Sequence, residues 1–329
     1  MSMAMMGPRR PSDPPPGTSP APRRSRACRY NIGVMVHPSR RRAELAQVGV
    51  TFVWGATFVV VKGALQDSST LLFLALRFTL ATVALAAAFR PLASRFDKTK
   101  PILAGGALAG VFLFSGYLLQ TIGLRYTTPS KSAFITGLCV VMVPVFSALV
   151  ARRLPGASVA LGVGTATVGM ALLTLRGASL KMDAGDLLTL GGAAAFSIHI
   201  MLLGRLAPRL GFQALALTQI ATAAVLALST FWWVERPTVR WTPGLISALL
   251  VTGLLATAVA FSVQTWAQQY TTPTRTALIF AMEPVFAWLT SFVVAGEVLA
   301  ARAALGAVLI LAGILLVELK PLKRATGPL

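Results

Sequence analysis

Tyr126-Thr127-Thr128-Pro129 returns as Tyr270-Thr271-Thr272-Pro273, and the match continues at the same offset without a gap. Gln120-Thr121 reappears as Gln264-Thr265, and Ala133 and Ile135 as Ala277 and Ile279. Leu161-Gly162 and Gly169 reappear as Leu305-Gly306 and Gly313. A fixed internal period governs the reading of everything else. Both copies sit in long apolar segments, so the chain is a duplicated membrane protein.

Composition agrees. Of 329 residues, 55% are hydrophobic and only 12% charged, where a soluble domain carries roughly a quarter charged. The net charge of +20 does not mark the membrane core as a nucleic-acid binder, because the basic residues lie between apolar runs rather than on one patch. Cys28 and Cys139 are far apart and exclude a disulfide framework. Residues 1–43 are rich in Pro, Arg and Ser, with Asp13 their one acid. They lack the apolar stretch of a signal peptide and read as a disordered, basic cytoplasmic tail. The tail is a solvated one, or one that binds anionic lipid or nucleic acid. Met35, just before His37-Pro38-Ser39-Arg40-Arg41-Arg42, is a second candidate start. Residues 320–329 read as a short cytoplasmic C-terminal tail.

The fold class predicted is all-α integral membrane, with ten transmembrane helices as two inverted five-helix repeats. The spans fall near 44–65, 70–90, 101–124, 130–150, 157–176, 186–206, 212–233, 243–269, 274–295 and 302–319. Each is close to the ~20 residues that cross ~30 Å of hydrocarbon. The first repeat covers 44–176 and the second 186–319. Thr128-Pro129 and Thr272-Pro273 read as N-cap threonine followed by proline at the first helical position. Arg90, Arg95, Lys98, Lys100, Arg152, Arg153, Arg205, Arg209, Arg275 and the arginines of the N-terminal tail fall on the side of the N-terminus. The positive-inside rule puts that side, and both termini, in the cytoplasm. Five spans per repeat is odd, so the second repeat enters the membrane upside down. Two related gates on opposite sides of a midplane site follow, which favours a secondary transporter over signalling or catalysis.

Several stretches together resemble the EamA-type transporters of the drug/metabolite transporter superfamily. Trp54-Gly55-Ala56-Thr57-Phe58 through Lys62 resembles that family's opening, as do Ala75-Leu76-Arg77-Phe78 and Gly116-Tyr117-Leu118-Leu119-Gln120. Glu283-Pro284-Val285-Phe286 through Gly296-Glu297 resembles its ninth span. The resemblance covers residues 44 to about 320. It implies a central cavity lined mainly by spans one to four and six to nine. It also implies export or exchange of small metabolites, amino acids or drugs. The first half departs from the pattern: Pro284 aligns with Val140, with Pro144 about a turn later, and Glu297 aligns with Arg153.

Glu283 is the sharpest candidate residue, because a carboxyl that deep in a span is expensive and faces the bundle interior or water. It reads as a proton-coupling or cation-anchoring group, or as a protonated or paired acid holding a helix kinked by Pro284. His199, mid-span, relays protons or binds ligand, or is a neutral histidine bonded to a neighbouring helix. Gln120 and Gln264 are repeat-related amides that bind substrate or bond between helices. Trp54, Phe112 and Tyr117 read as cavity aromatics, whereas Tyr270 and Trp266 fall first in the interfacial belt. Lys62 and Arg77 are expected to snorkel, with binding of an anionic substrate the alternative. Lys131 and Arg275 lie in the first turns of helices four and nine, as gate charges or interfacial anchors. The glycine pairs 162/169 and 306/313, and Gly106 with Gly110, read as close-packing positions. Spans five and ten are then scaffold or homodimer contacts.

The function expected is a secondary transporter, exporter or exchanger, working by alternating access with protons as a coupling ion. An uncoupled permease or channel is the alternative, and a membrane enzyme the remote one. There is no His-Glu-x-x-His, no Gly-x-Ser-x-Gly and no phosphate-binding loop, and no cofactor or metal is expected. The partners expected are a small-molecule substrate and the lipid bilayer, with no nucleic acid. Abundant Arg, Ala and Gly suggest a bacterium with a G+C-rich genome, hence a multi-pass protein of the bacterial inner membrane.

Overall fold

The computed structural model of the chain describes residues 40–89, 99–152, 154–174, 182–295 and 301–319. Glu297, Arg153, Met35, the C-terminal tail and all but the last residues of the N-terminal tail lie outside them. Helix α1, Arg40–Ala64, starts inside the segment expected to be disordered.

The first half continues with α2 (Thr70–Ala88), α3 (Thr99–Tyr126), α4 (Pro129–Gly137), α5 (Cys139–Ala151) and α6 (Ala157–Thr174). The second half has α7 (Ala184–Leu210), α8 (Phe212–Val234) and α9 (Pro243–Leu250). A π-helical segment (Val251–Val259) then leads into α10 (Ala260–Ala267), followed by α11 (Pro273–Phe280), α12 (Glu283–Ala295) and α13 (Ala301–Leu319). Among the described residues the fold is all-helical, with one isolated antiparallel bridge between Ser68 and Val239. Seven helical stretches are long and apolar enough to cross a membrane. Ala157–Leu173 and Ala301–Val317 are apolar but shorter. The predicted fourth, eighth and ninth spans are each broken: at Leu138, through the π segment, and at Ala281–Met282. Pro284 explains the last break, because it has no N–H to offer the Phe280 carbonyl one turn earlier.

The N-caps form as predicted. Thr128 accepts from the Lys131 amide at 3.2 Å and Thr272 from the Arg275 amide at 3.4 Å. Thr242 caps α9 in the same way, a third Thr-Pro start that follows the same rule.

The packing exchanges under the repeat. Helix α3 packs on α7 and α8, as the π segment and α10 pack on α1 and α2, while α6 packs on α13. In that last seam, Cβ atoms added to Gly162 and Gly169 would sit 2.6 Å from the carbonyl oxygens of Gly313 and Gly306 respectively. The helices are therefore antiparallel and the glycines meet as reciprocal pairs. Gly106 and Gly110 admit Thr218 and Thr222 of α8. The expectation of close-packing glycines thus holds in all three places; backbone approach requires them everywhere but at Gly106, where the Thr218 side chain does. Large apolar side chains such as Val59, Val83, Leu149 and Leu161 face outward, which suits hydrocarbon rather than water. Trp232, Trp233 and Trp241 at the α8–α9 turn form an exposed aromatic cluster of the belt kind.

At that turn, the Glu235 carboxylate accepts from the Leu71 and Leu72 amides at 2.7 and 3.0 Å, an anion on a helix N-terminus. Asp67 accepts from Thr242 at 2.7 Å and from Arg240. The Thr242 hydroxyl, then Arg240, hold the Asp67 carboxyl below its ordinary value of 3.8. A lowered pKa means stability that is present above the unfolded value and lost as pH falls through the folded one. Asp67→Asn is therefore expected to lower the melting temperature at pH 7, and to leave it unchanged in acid where Asp67 is already protonated. An equal loss at both pH values would refute this.

Candidate transport site

The repeated block builds two matching clasps. In the first, Thr127 donates to Asp186 at 2.8 Å, and Lys131 pairs with Asp186 and more distantly with Asp183 at 3.8 Å. In the second, Thr271 donates to Glu44 at 3.3 Å and Arg275 pairs with Glu44 at 3.4 Å. Each joins the start of a broken helix (α4 or α11) to the start of the long helix of the other repeat-equivalent pair (α7 or α1). They lie at opposite ends of the bundle. Gly123 of α3 meets Gly185 of α7 at the Tyr126 end, whereas Gln269, beside Tyr270, donates to the Ala207 carbonyl near the far end of α7 at 3.0 Å.

Between the clasps is a cavity lined from both halves. Helix α1 contributes Trp54, Thr57, Phe58 and Val61; α2 contributes Arg77; α3 contributes Tyr117, Gln120, Thr121 and Leu124. The kink between α4 and α5 gives Thr136, Gly137 and Cys139. The second half adds Phe196, His199 and Ile200 from α7, Phe261 and Gln264 from α10, and Phe280 and Glu283 from the α11–α12 break. Six of the seven residues predicted as substrate-binding therefore meet in one space. The seventh, Phe112, is not among the lining residues. Tyr117, Gln120, Thr121 and Leu124 follow a helical stripe, and Phe112, five positions before Tyr117, falls about 140° off it. Spans five and ten contribute no wall, as expected. Neither does α8, which the family resemblance had placed there; it acts behind the wall through Gln219.

Arg77 overturns the snorkelling expectation. Its side chain is buried, donates to Thr257 at 2.7 Å and to the Tyr117 hydroxyl at 3.2 Å, and lies 4.4 Å from the centre of the Tyr117 ring. The π segment sets this up: Thr257 bonds the carbonyl of Thr252, five residues back, at 2.7 Å and so stands toward α2. The Lys62 ammonium reaches the end of α3, where it bonds the carbonyls of Leu124 and, just past the helix, Thr127.

His199 bonds Gln219 Oε1 at 2.7 Å, and Gln219 donates onward to Thr265 at 2.9 Å. Since Gln219 spends its amino group on Thr265, its oxygen accepts from His199, which fixes Nε2–H as the bonded tautomer. This is the interhelical bond of the structural reading, on a ring that also faces the cavity. Gln120 donates to Thr136 at 2.9 Å. Gln264 donates to Gln268 at 3.2 Å, and Gln268 donates to the Ile200 carbonyl at 2.8 Å. That chain leaves Gln264 Oε1 buried with no partner. Glu283 is buried, and among the described residues no hydrogen bond or ion pair reaches its carboxyl. A paired acid at Glu283 thus finds no partner among the described residues, which leaves the protonated structural acid beside the proton-coupling reading. Phe261 lies at the centre of the aromatic lining, 5.2 Å from Trp54, 6.0 Å from Tyr117 and 5.8 Å from His199. Trp266 and Tyr270 pair with each other away from the cavity.

The sequence reading missed Phe196, Phe261, Phe280 and Cys139. Cys139 carried a usable signal: it is the repeat equivalent of Glu283, and both stand at a helix break on the cavity wall. Among the described residues no cluster of potential metal ligands occurs.

The chain matches the EamA-like transporter family twice, over residues 41–175 and 183–319. An uncharacterized transporter of Archaeoglobus fulgidus is 34% identical over 282 residues, spanning 85% of this chain and 87% of its own length. Two uncharacterized transporters of Bacillus subtilis are similar too. YvbV is 26% identical over 68% of this chain and 74% of its own length. YoaV is 23% identical over 82% and 94%. A crystal structure shares the fold with a TM-score of 0.71 at 20% identity, over 85% of this chain and 98% of that one. Two family matches that together span the membrane helices, arranged around a shared cavity, make this chain a multi-pass membrane protein of the EamA-like transporter family.

Proposed function

We propose that the protein is a secondary carrier that exports or exchanges small metabolites by alternating access, coupled to protons through Glu283. The observation that carries this is a carboxyl without a partner among the described residues, in a cavity lined by both copies of one sequence. A carboxyl without a fixed counter-charge is a proton-exchange site, and repeat symmetry supplies two equivalent ways to close the cavity. In this reading ten spans form two inverted repeats, with both termini in the cytoplasm of a bacterial inner membrane. The Lys131 and Arg275 clasps are the gate charges of the two sides, and spans five and ten carry any homodimer contact. The chemistry is carriage rather than catalysis.

Loading cells with dipeptides and mixed metabolites and profiling the medium identifies the released compound. In proteoliposomes, that compound should show saturable counterflow accelerated by a pH gradient. Glu283→Gln should abolish the acceleration and flatten the pH profile while counterflow persists. A mutant with wild-type rate and pH dependence would leave an uncoupled permease. Conductance near the diffusion limit would mark a channel.

A further inference from the structure

We infer that a recess at one end of the bundle binds the phosphate of an anionic phospholipid from the surrounding leaflet. This does not depend on what the central cavity carries. The α1–α2 and α8–α9 turns meet where α1 ends, and with Arg125 of α3 they enclose a recess separate from that cavity. Its charged lining is three arginines, Arg125, Arg236 and Arg240, against two carboxylates, Asp67 and Glu235, a formal excess of one positive charge. Both carboxylates are already answered. Asp67 accepts from Arg240 and Thr242, and Glu235 accepts from the Leu71 and Leu72 amides. Of the arginines, only Arg240 has a carboxylate in return. Arg125 bonds neutral oxygens, the Thr70 hydroxyl and the Ser68 carbonyl. Arg236 has no partner among the described residues. The charged groups left to receive a ligand are therefore guanidinium donors.

Depth selects the anion. Trp232, Trp233 and Trp241 are exposed on the same turn, and Trp241 directly follows Arg240 in the chain. Tryptophans placed in this way sit at headgroup level, where phosphate is the abundant anion. A guanidinium fork grips two phosphate oxygens at once, and basic pockets between membrane helices hold anionic headgroups. A zwitterionic lipid fits less well, because its ammonium meets no free carboxylate. Gln66 and Thr238 also line the recess, and their side chains bond nothing else among the described residues. They suit the hydroxyls of a glycerol headgroup. One bound lipid touches a turn from each half of the chain and braces the two together.

The test is protection of the purified full-length chain, in dodecyl maltoside micelles, against thermal unfolding by added lipid. Binding to the native state raises the melting temperature by mass action and requires no transport cycle. Dioleoyl phosphatidylglycerol should protect at concentrations about tenfold below dioleoyl phosphatidylcholine, which has the same chains and no net charge. Glycerol 3-phosphate, a headgroup phosphate without chains, should not protect at the same phosphate concentration. Arg236→Gln should remove the advantage of phosphatidylglycerol and leave the lipid-free melting temperature unchanged, since Arg236 holds nothing in the fold. Arg209→Gln, at the far end of α7, should keep the advantage in full. Equal protection by the two lipids would mean contacts with chains and aromatics only. Protection by glycerol 3-phosphate would mean a site for soluble phosphoesters. Equal losses in Arg236→Gln and Arg209→Gln would mean bulk attraction of anionic lipid. Any of these results, or protection by no ligand, overturns the inference.

Discussion

Lys131→Ala is expected to destabilise the protein by about 3–5 kcal/mol, the cost of leaving a buried carboxylate without its cation. The Asp186 side chain is 0% exposed, so no water replaces the lost ammonium. Thr127 and the Asp183 amide still donate to it, but they supply no charge. Lys131→Ala combined with Asp186→Asn should recover most of the loss, because it removes the orphaned charge with its partner. The matching change at the other end behaves differently. Glu44 is 15% exposed and also pairs with Arg40 at 2.7 Å, so Arg275→Ala leaves that carboxylate a second cation and some water and should cost less than Lys131→Ala. Thermal melts of the three variants check this. Equal losses at Lys131 and Arg275 would show that clasp chemistry, and not burial, sets the cost. On the proposed carrier reading, gates of unequal strength would bias which side rests closed.

Gly169→Leu should be the most disruptive change away from the cavity. Even a Cβ there would sit 2.6 Å from the Gly306 carbonyl oxygen and 2.8 Å from the Ile310 amide nitrogen, and both are backbone atoms that cannot swing aside. Overpacking of a methyl costs about 1–3 kcal/mol, and a leucine must part α6 from α13. Gly306→Ala should cost about as much as Gly169→Ala, because the contact is reciprocal. Gly164 is the control: it lies on the same helix with nothing within 4 Å of its Cβ position. Gly164→Ala should be neutral or stabilise by up to about 1 kcal/mol. A melt in which Gly164→Ala and Gly169→Ala fall together would refute the seam.

Much of this was legible in the chain itself. The duplication, the helix starts at Thr-Pro, the close-packing glycines and six of the cavity residues follow from periods, caps and the expense of polar groups among apolar ones. These are local rules, or rules of like position in two copies. Arg77 was misread for the opposite reason. Its distance from a helix end is visible in the sequence, but its hydrogen-bond partners Tyr117 and Thr257 belong to other helices. Phe112 was misread because an aromatic near Tyr117 in sequence is not on the same helix face.

The sequence by itself determined that two apolar repeats of one pattern span the bilayer, because hydrophobic length and internal repetition need no knowledge of contacts. Only the tertiary structure decided which charges are compensated. Lys131 and Arg275 found carboxylates on distant helices, and Glu283 found no partner among the described residues. Whether a buried charge is answered depends on which helices lie against each other, and no stretch of chain encodes that alone.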